Sequence, residues 1–227
     1  MNDLLRLEEI LGYNFKDRNL LNQALVHSSY ANEVYGDALR DNERLEFLGD
    51  AVLDMVISQI LYNSESHKEE GDLTKLRASI VCEKSLAEIS RAHGLNNFLI
   101  LGRGEELSGG RDRDSIIADG VEAIIGAIFI DSGIEAASDL IHRFFGGLIK
   151  QAKAGKLNRD SKTELQELMQ QKGPCQIEYK LLAESGPDHD KTFTFAVYTD
   201  GIKLGEGSGK SKKLAQIAAA EVALKGL

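Results

Sequence analysis

Two apolar stretches of this chain carry acids on one side. In the first, Glu43, Glu46, Asp50 and Asp54 recur every three or four residues among Leu45, Leu48, Val52 and Leu53. In the second, residues 116–130, eleven positions are apolar, two are Gly, and the only charges are Asp119 and Glu122. At about 100° per residue, Glu43, Glu46 and Asp50 share one helical face, as do Asp119 and Glu122. A helix apolar all round is buried, and an ionised carboxylate there must be paired, neutralised or bound to metal. The interior turns offer no Lys or Arg; Arg44 stands alone. Hard oxygen donors without His or Cys suit Mg²⁺, or Mn²⁺ in its place.

One acid on an apolar helix reads most simply as solvated or ion-paired. Four or five on the facing sides of two such helices read as a shared metal site. Two divalent ions about 3.5–4 Å apart can clamp the attacking and leaving oxygens of a phosphodiester hydrolysis. Asp54 lies one turn beyond the set, where it supports the site from outside or faces solvent.

A second constellation lies near the C-terminus. Gly205-Glu-Gly-Ser-Gly-Lys210-Ser-Lys212-Lys213 reads as a Gly-rich turn with lysines at a helix N-terminus. Such an end favours anions through its free N–H groups, so lysines added to it point to an external polyanion. A P-loop is excluded because Leu204 stands where its first Gly is required. His189-Asp190 lacks the further His partners of a metal phosphohydrolase, and the absence of Glu-x-x-His removes a ferritin-like di-iron site. Cys82 and Cys175 suggest neither a disulfide framework nor zinc, and read as small buried hydrophobes.

Helices must position the acids. Residues 4–11 are amphipathic, Asp17 caps a run to residue 27, and the first acidic helix spans 42–62. After a polar break at 63–71, Asp72 caps one long pattern ending at Gly94. Ser115 caps the second acidic helix behind a charged loop at 102–114, and a last helix covers 134–150. The polar segment 153–160 reads as a linker, dividing an all-α domain at 1–152 from a second domain at 161–227. There, a helix at 163–172 precedes strands at 177–182, 192–198 and 202–207, with Asp200-Gly201 as a hairpin turn. A final helix at 211–224 completes a small α+β unit of order α-β-β-β-α.

Net charge is −9, but residues 156–227 hold 11 basic and 10 acidic side chains, so the acidity sits in the first 155 residues. Two divalent cations would bring the total to −5, and local patches rather than the total decide binding. No apolar run is long enough for a membrane span. The acidic N-terminal residues do not read as a signal peptide, so a cytosolic protein is expected.

Asn42-Glu-Arg-Leu-Glu-Phe-Leu-Gly-Asp-Ala-Val-Leu53 resembles the signature of the ribonuclease III family. The resemblance extends through His27-Ser-Ser, Glu70-Gly-Asp-Leu and Ser115-Ile-Ile-Ala-Asp-Gly-Val-Glu122. It continues in Gly207-Ser-Gly-Lys-Ser-Lys-Lys-Leu-Ala215, which resembles a double-stranded-RNA-binding domain. Asp114 is one departure, since relatives often have Glu there. The resemblance implies a helical nuclease domain with Glu46, Asp50, Asp119 and Glu122 as metal ligands. Asp50 and Glu122 would be catalytic, Glu122 the most critical, with Glu43 and Glu70 as supporting acids. It further implies a homodimer with Phe47 at the subunit seam, and a valley whose two sites leave 5′-phosphate and 3′-hydroxyl ends. In the second domain, Thr163, Gln166, Glu167 and the Pro187–His189 loop would meet minor grooves, while Lys210, Lys212 and Lys213 span the phosphates between. Recognition of this kind depends on A-form shape and 2′-hydroxyls.

The expected activity is therefore Mg²⁺-dependent cleavage of double-stranded RNA, in processing of ribosomal and messenger RNA. Two rivals are a protein that holds duplex RNA without cutting it and a carboxylate metalloenzyme acting on a small molecule. Cutting of a long duplex excludes the first; loss of RNA preference on deleting residues 156–227 excludes the second.

Overall fold

The structure, a computed structural model, describes residues 2–155, 161–173, 175–187 and 191–227. The chain divides into two compact units, Met1–Leu157 and Asn158–Leu227. The first is helical: α1 (Asn2–Leu11), α2 (Arg18–Leu25), α3 (Ser28–Tyr30), α4 (Glu43–Ser64), α5 (Glu70–Ile80), α6 (Glu83–His93), α7 (Arg103–Leu107) and α8 (Asp114–Lys153). The second is α9 (Ser161–Lys172), strands β1 (Ile177–Ser185), β2 (Thr192–Thr199) and β3 (Ile202–Gly209), and α10 (Lys212–Lys225). No helix among the described residues is long and apolar enough to cross a membrane.

The helical unit is built around α4 and α8, whose apolar residues, including Leu53, Ile57, Ile124 and Ile128, fill one core with Leu7, Leu21 and Phe145. These two helices touch backbone to backbone. A Cβ on Gly49 would fall 1.8 Å from the carbonyl oxygen of Glu122, and one on Gly126 would fall 2.2 Å from that of Leu45. Glycine at both positions lets α4 and α8 approach more closely than any side chain would permit. α8 breaks at Gly133, where φ is 83°, matching the expected start of a separate helix at residue 134.

Several local expectations fail for identifiable reasons. Asp17 does cap α2, accepting from the Asn19 N–H, but Ser115 does not cap α8. Asp114 is already helical and is held by Arg91 Nη2 at 2.6 Å, an acid in the first turn where the helix dipole favours it. Asp72 is likewise inside α5, which starts at Glu70. The long pattern ending at Gly94 is two helices. The chain leaves α5 at Val81, and the Ser79 carbonyl is taken up by the Ser85 hydroxyl at 3.0 Å. Cys82 and Cys175 are free and half-buried rather than core residues.

In the second unit the sheet has order β1-β2-β3, all antiparallel. Asp200 and Gly201 both have positive φ, 48° and 80°, as a two-residue hairpin demands. The expected Gly-rich turn is instead strand, because β3 continues to Gly209. Its glycines serve packing. A Cβ on Gly205 would fall 2.5 Å from the carbonyl oxygen of Ala219, and one on Gly207 would fall 2.3 Å from the Ala219 nitrogen. Ala215, Ala219, Ala220 and Ala223 are the buried face of α10, and β3 must be bare for that face to lie on it.

Candidate metal centre

Helix α4 presents Glu46 and α8 presents Asp119 and Glu122. One carboxylate oxygen from each lies within 4.8 Å of the other two. The convergence follows from the Gly49–Glu122 backbone contact, which leaves no room for side chains between the helices at this level. All three acids are half-buried, and every charged neighbour acting on them is another acid. Burial followed by Asp119, Glu43 and Asp50 pushes Glu46 up to about 7. Burial followed by Glu83 and Glu43 raises Asp119 to about 6. Glu122 rises to about 8 through burial, then Asp50, Asp119, Glu46 and Asp54. A group of acids this close, without a Lys or Arg partner among the described residues, is held at high electrostatic cost unless a cation joins it. The donor set is three carboxylate groups without nitrogen or sulfur, which fits a hard divalent ion.

The other expected acids are placed less centrally. Asp50 is exposed on the next turn of α4, acting on Glu46 and Glu122 through charge but outside the three-oxygen group. Glu43 is exposed at the start of α4 and acts on Glu46 and Asp119. Glu70 is not brought to the group: its Oε1 accepts from Thr74 Oγ1 at 2.9 Å, beside a 300 Å³ cavity shared with Tyr62 and Arg77. Sequence reasoning missed Glu83, the first residue of α6 and the strongest charged neighbour of Asp119. An acid in the first turn of a helix is so common that nothing in the sequence distinguishes it.

His27 is structural. Its Nδ1 accepts from the Ser29 N–H at 3.2 Å and caps α3, and Ser29 Oγ accepts from the Gly102 N–H at 2.9 Å. With His27 N–H donating to the Ile100 carbonyl and Asn42 N–H to that of Val26, this segment ties the start of α4 to the entry of α7. Phe47 points away from the core, 81% exposed, beside a 710 Å³ groove lined by Leu20, Leu48 and Ile130.

In the second unit Lys210, Lys212 and Lys213 are exposed around the start of α10, which Ser211 caps by accepting from the Leu214 N–H. Gln166 is exposed on α9 and Pro187 is exposed after β1. His189 and the side chains of Thr163 and Glu167 lie outside the described residues.

Residues 17–148 match the Ribonuclease-III-like family, and residues 161–227 match the double-stranded RNA binding motif. Ribonuclease 3 of Pelotomaculum thermopropionicum is 50% identical over 221 residues, 97% of this chain and 92% of the relative. Ribonuclease 3 of Enterococcus faecalis is 49% identical, with coverage of 97% and 96%. The crystal structure of the ribonuclease III nuclease domain from Campylobacter jejuni superposes with a TM-score of 0.60 at 43% identity, covering 65% of this chain and 97% of that domain. A second structure of that domain, described for flexibility in a region involved in dimer formation, gives 0.58 at 45% identity, covering 62% and 94%.

Proposed function

This chain belongs to the ribonuclease III family, and on that premise we propose how its parts divide the work of cutting duplex RNA. Residues 1–152 are the nuclease domain, 153–160 the linker and 161–227 the RNA-binding domain. The protein is a double-stranded-RNA-specific endoribonuclease, and its family is metal-dependent. We assign Mg²⁺ as the ion, with Mn²⁺ able to substitute, and Glu46, Asp50, Asp119 and Glu122 as the residues that hold it. The observation that carries this assignment is the 4.8 Å convergence of Glu46, Asp119 and Glu122 among acids alone.

When bound, divalent ions supply Lewis-acid polarisation of the phosphoryl oxygens and lower the pKa of water. The remaining contributions belong to the chain. Glu122, raised to about 8, and Glu46, raised to about 7, retain protons near neutral pH. To hold a cation these carboxyls would have to give up those protons. Asp50, on the solvent side of the group, completes the set where the scissile phosphate arrives, Glu43 supports it, and Glu70, outside the group, is a supporting acid of the active-site valley. Hydrolysis breaks the P–O3′ bond, leaving a 5′-phosphate on one fragment and a 3′-hydroxyl on the other.

The second domain holds the duplex through its shape. Gln166 with Thr163 and Glu167 on α9, and the loop of Pro187 and His189, meet successive minor grooves; Lys210, Lys212 and Lys213 span the phosphates. Two copies pair through the surface around Phe47, so that two sites serve the two strands. We place the enzyme in the cytoplasm, in processing of ribosomal and messenger RNA.

A long duplex incubated with the purified protein and Mg²⁺ tests the reading. Short products with 5′-phosphate ends are expected; duplex bound at unchanged length overturns it. Sedimentation of wild type and Phe47→Glu tests the pairing, with a monomeric variant expected.

A further inference from the structure

The acidic face of α4 does not end at Asp50. Asp54, one turn on, acts by charge on Glu122, and one of its oxygens, Oδ1, is buried and accepts no hydrogen bond among the described residues. The other oxygen, Oδ2, lies 3.8 Å from Arg77 Nε. The same guanidinium donates from Nη1 to Ser58 Oγ at 3.0 Å. Arg77 comes from α5, whereas Asp54 and Ser58 are one turn apart on α4, so a single planar fork is fixed against two successive turns of the acidic helix.

A carboxylate oxygen sealed from water without a donor costs about 1–3 kcal/mol. Packing does not require it here, since Asn at the same position would fill the same volume without a formal charge. Nor does the ion pair explain it, because a half-exposed contact at 3.8 Å contributes little. What the charge does do is continue the acidic face of α4 one turn beyond Asp50, near enough to act on Glu122. Arg77 is fixed beside Asp54, where it offsets part of that carboxylate's own charge without touching Glu46, Asp119 or Glu122.

We infer that Asp54 and Arg77 are a positioning pair that sets the divalent-cation affinity of the acid group: Asp54 strengthens it from outside and Arg77 limits how far. This rests on the metal-site reading above. Partners hydrogen-bonded to a metal's ligands commonly change affinity 10–100-fold, and Asp54, which acts by charge alone, belongs at or below the low end of that range.

The test is Mn²⁺ binding to the full-length protein without RNA, followed by electron paramagnetic resonance of the free ion. Asp54→Asn is expected to weaken binding about tenfold, Asp54→Glu to restore most of it, and Arg77→Gln to tighten it about two- to threefold. In the Asp54→Asn background, Arg77→Gln should change nothing further, since it acts through Asp54. Thermal melts of each variant identify any that fail to fold, and Asp54→Glu then carries the test. Glu122→Gln is the control: if it leaves Mn²⁺ binding intact, the metal-site reading itself fails. If Glu122→Gln weakens binding while Asp54→Asn stays within twofold of wild type, the role of Asp54 is overturned. An Arg77→Gln effect that persists without Asp54, or a loss of affinity on that substitution, overturns the role of Arg77.

Discussion

The two halves of this protein use glycine for the same purpose and obtain different things from it. In the nuclease half, Gly49 and Gly126 let α4 and α8 meet at backbone distance; in the RNA-binding half, Gly205 and Gly207 let α10 lie on β3. The first contact ends in three acids that must agree within a few ångströms. The second carries exposed lysines on flexible stems around the start of α10. A metal site depends on geometry because its donors must converge, whereas phosphate contacts depend mainly on charge, which falls off gradually. Equivalent damage to the two halves should therefore have unequal consequences.

The sharpest separation is at the reacting groups. Glu122→Gln removes one charge from the group and almost no volume, so turnover is expected to fall about 10³-fold or more. Duplex affinity, measured by filter binding in Ca²⁺, should stay within about threefold, because the binding half is unaltered. Near-normal cleavage by this variant at ordinary Mg²⁺ would remove Glu122 from the site.

The glycines test the comparison itself. Gly49→Ala puts a methyl against the Glu122 carbonyl, so α4 must shift. A cost of about 1–3 kcal/mol in stability is expected, with turnover lower by about 10²-fold because misplacement of that size disrupts reacting groups. Gly207→Ala meets Ala219 in the same way, yet should weaken duplex binding while leaving turnover of saturating duplex near wild type. Comparable losses of turnover in both variants would show that the halves are not separable in this way.

Lysines should give graded losses. Lys212→Ala and Lys213→Ala are each expected to weaken binding severalfold and to reduce the salt slope of binding by about one. A slope unchanged in the double variant would mean that α10 does not meet the phosphates.

How far these roles could be read in advance follows the same division. Spacing alone put Glu43, Glu46 and Asp50 on one face of one helix and Asp119 and Glu122 on one face of another, because a carboxylate on an otherwise apolar face has few explanations. It could not separate Asp50 from Glu46, since one turn of α4 decides between the group and solvent, and that depends on how closely Gly49 approaches. Glu83 escaped notice because its effect on Asp119 arises only when α6 folds against α8. The glycines of β3 read as a turn because glycine signals both turns and bare packing surfaces, and only the alanine face of α10 distinguishes the two. Helix starts at residues 70 and 114 were misplaced by three and two positions. Acids in a first turn resemble caps, and the ion pair from Arg91 to Asp114 joins residues far apart in sequence.

The smallest expected effect concerns pH. Without metal, Glu46, Asp119 and Glu122 stand near 7, 6 and 8, all above their values in an unfolded chain. Through these three groups the folded state binds more protons than the unfolded state between about pH 4.5 and 8, an excess that the lowered pKa of His27 offsets in part. Raising pH through that window must ionise acids that have only acids for neighbours, so this group lowers stability as pH rises. Melting of the metal-free protein should fall by a few degrees between pH 5.5 and 8.5, and Glu122→Gln should flatten the decline. Mg²⁺ should raise the melting temperature more at pH 8.5 than at pH 5.5, because at the lower pH loading must first displace protons. Lysines at α10 have no counterpart to this behaviour, so the slope should survive replacement of Lys212 and Lys213. A metal-free protein whose melting temperature rises across the window would mean that the three acids are not crowded as the helices place them.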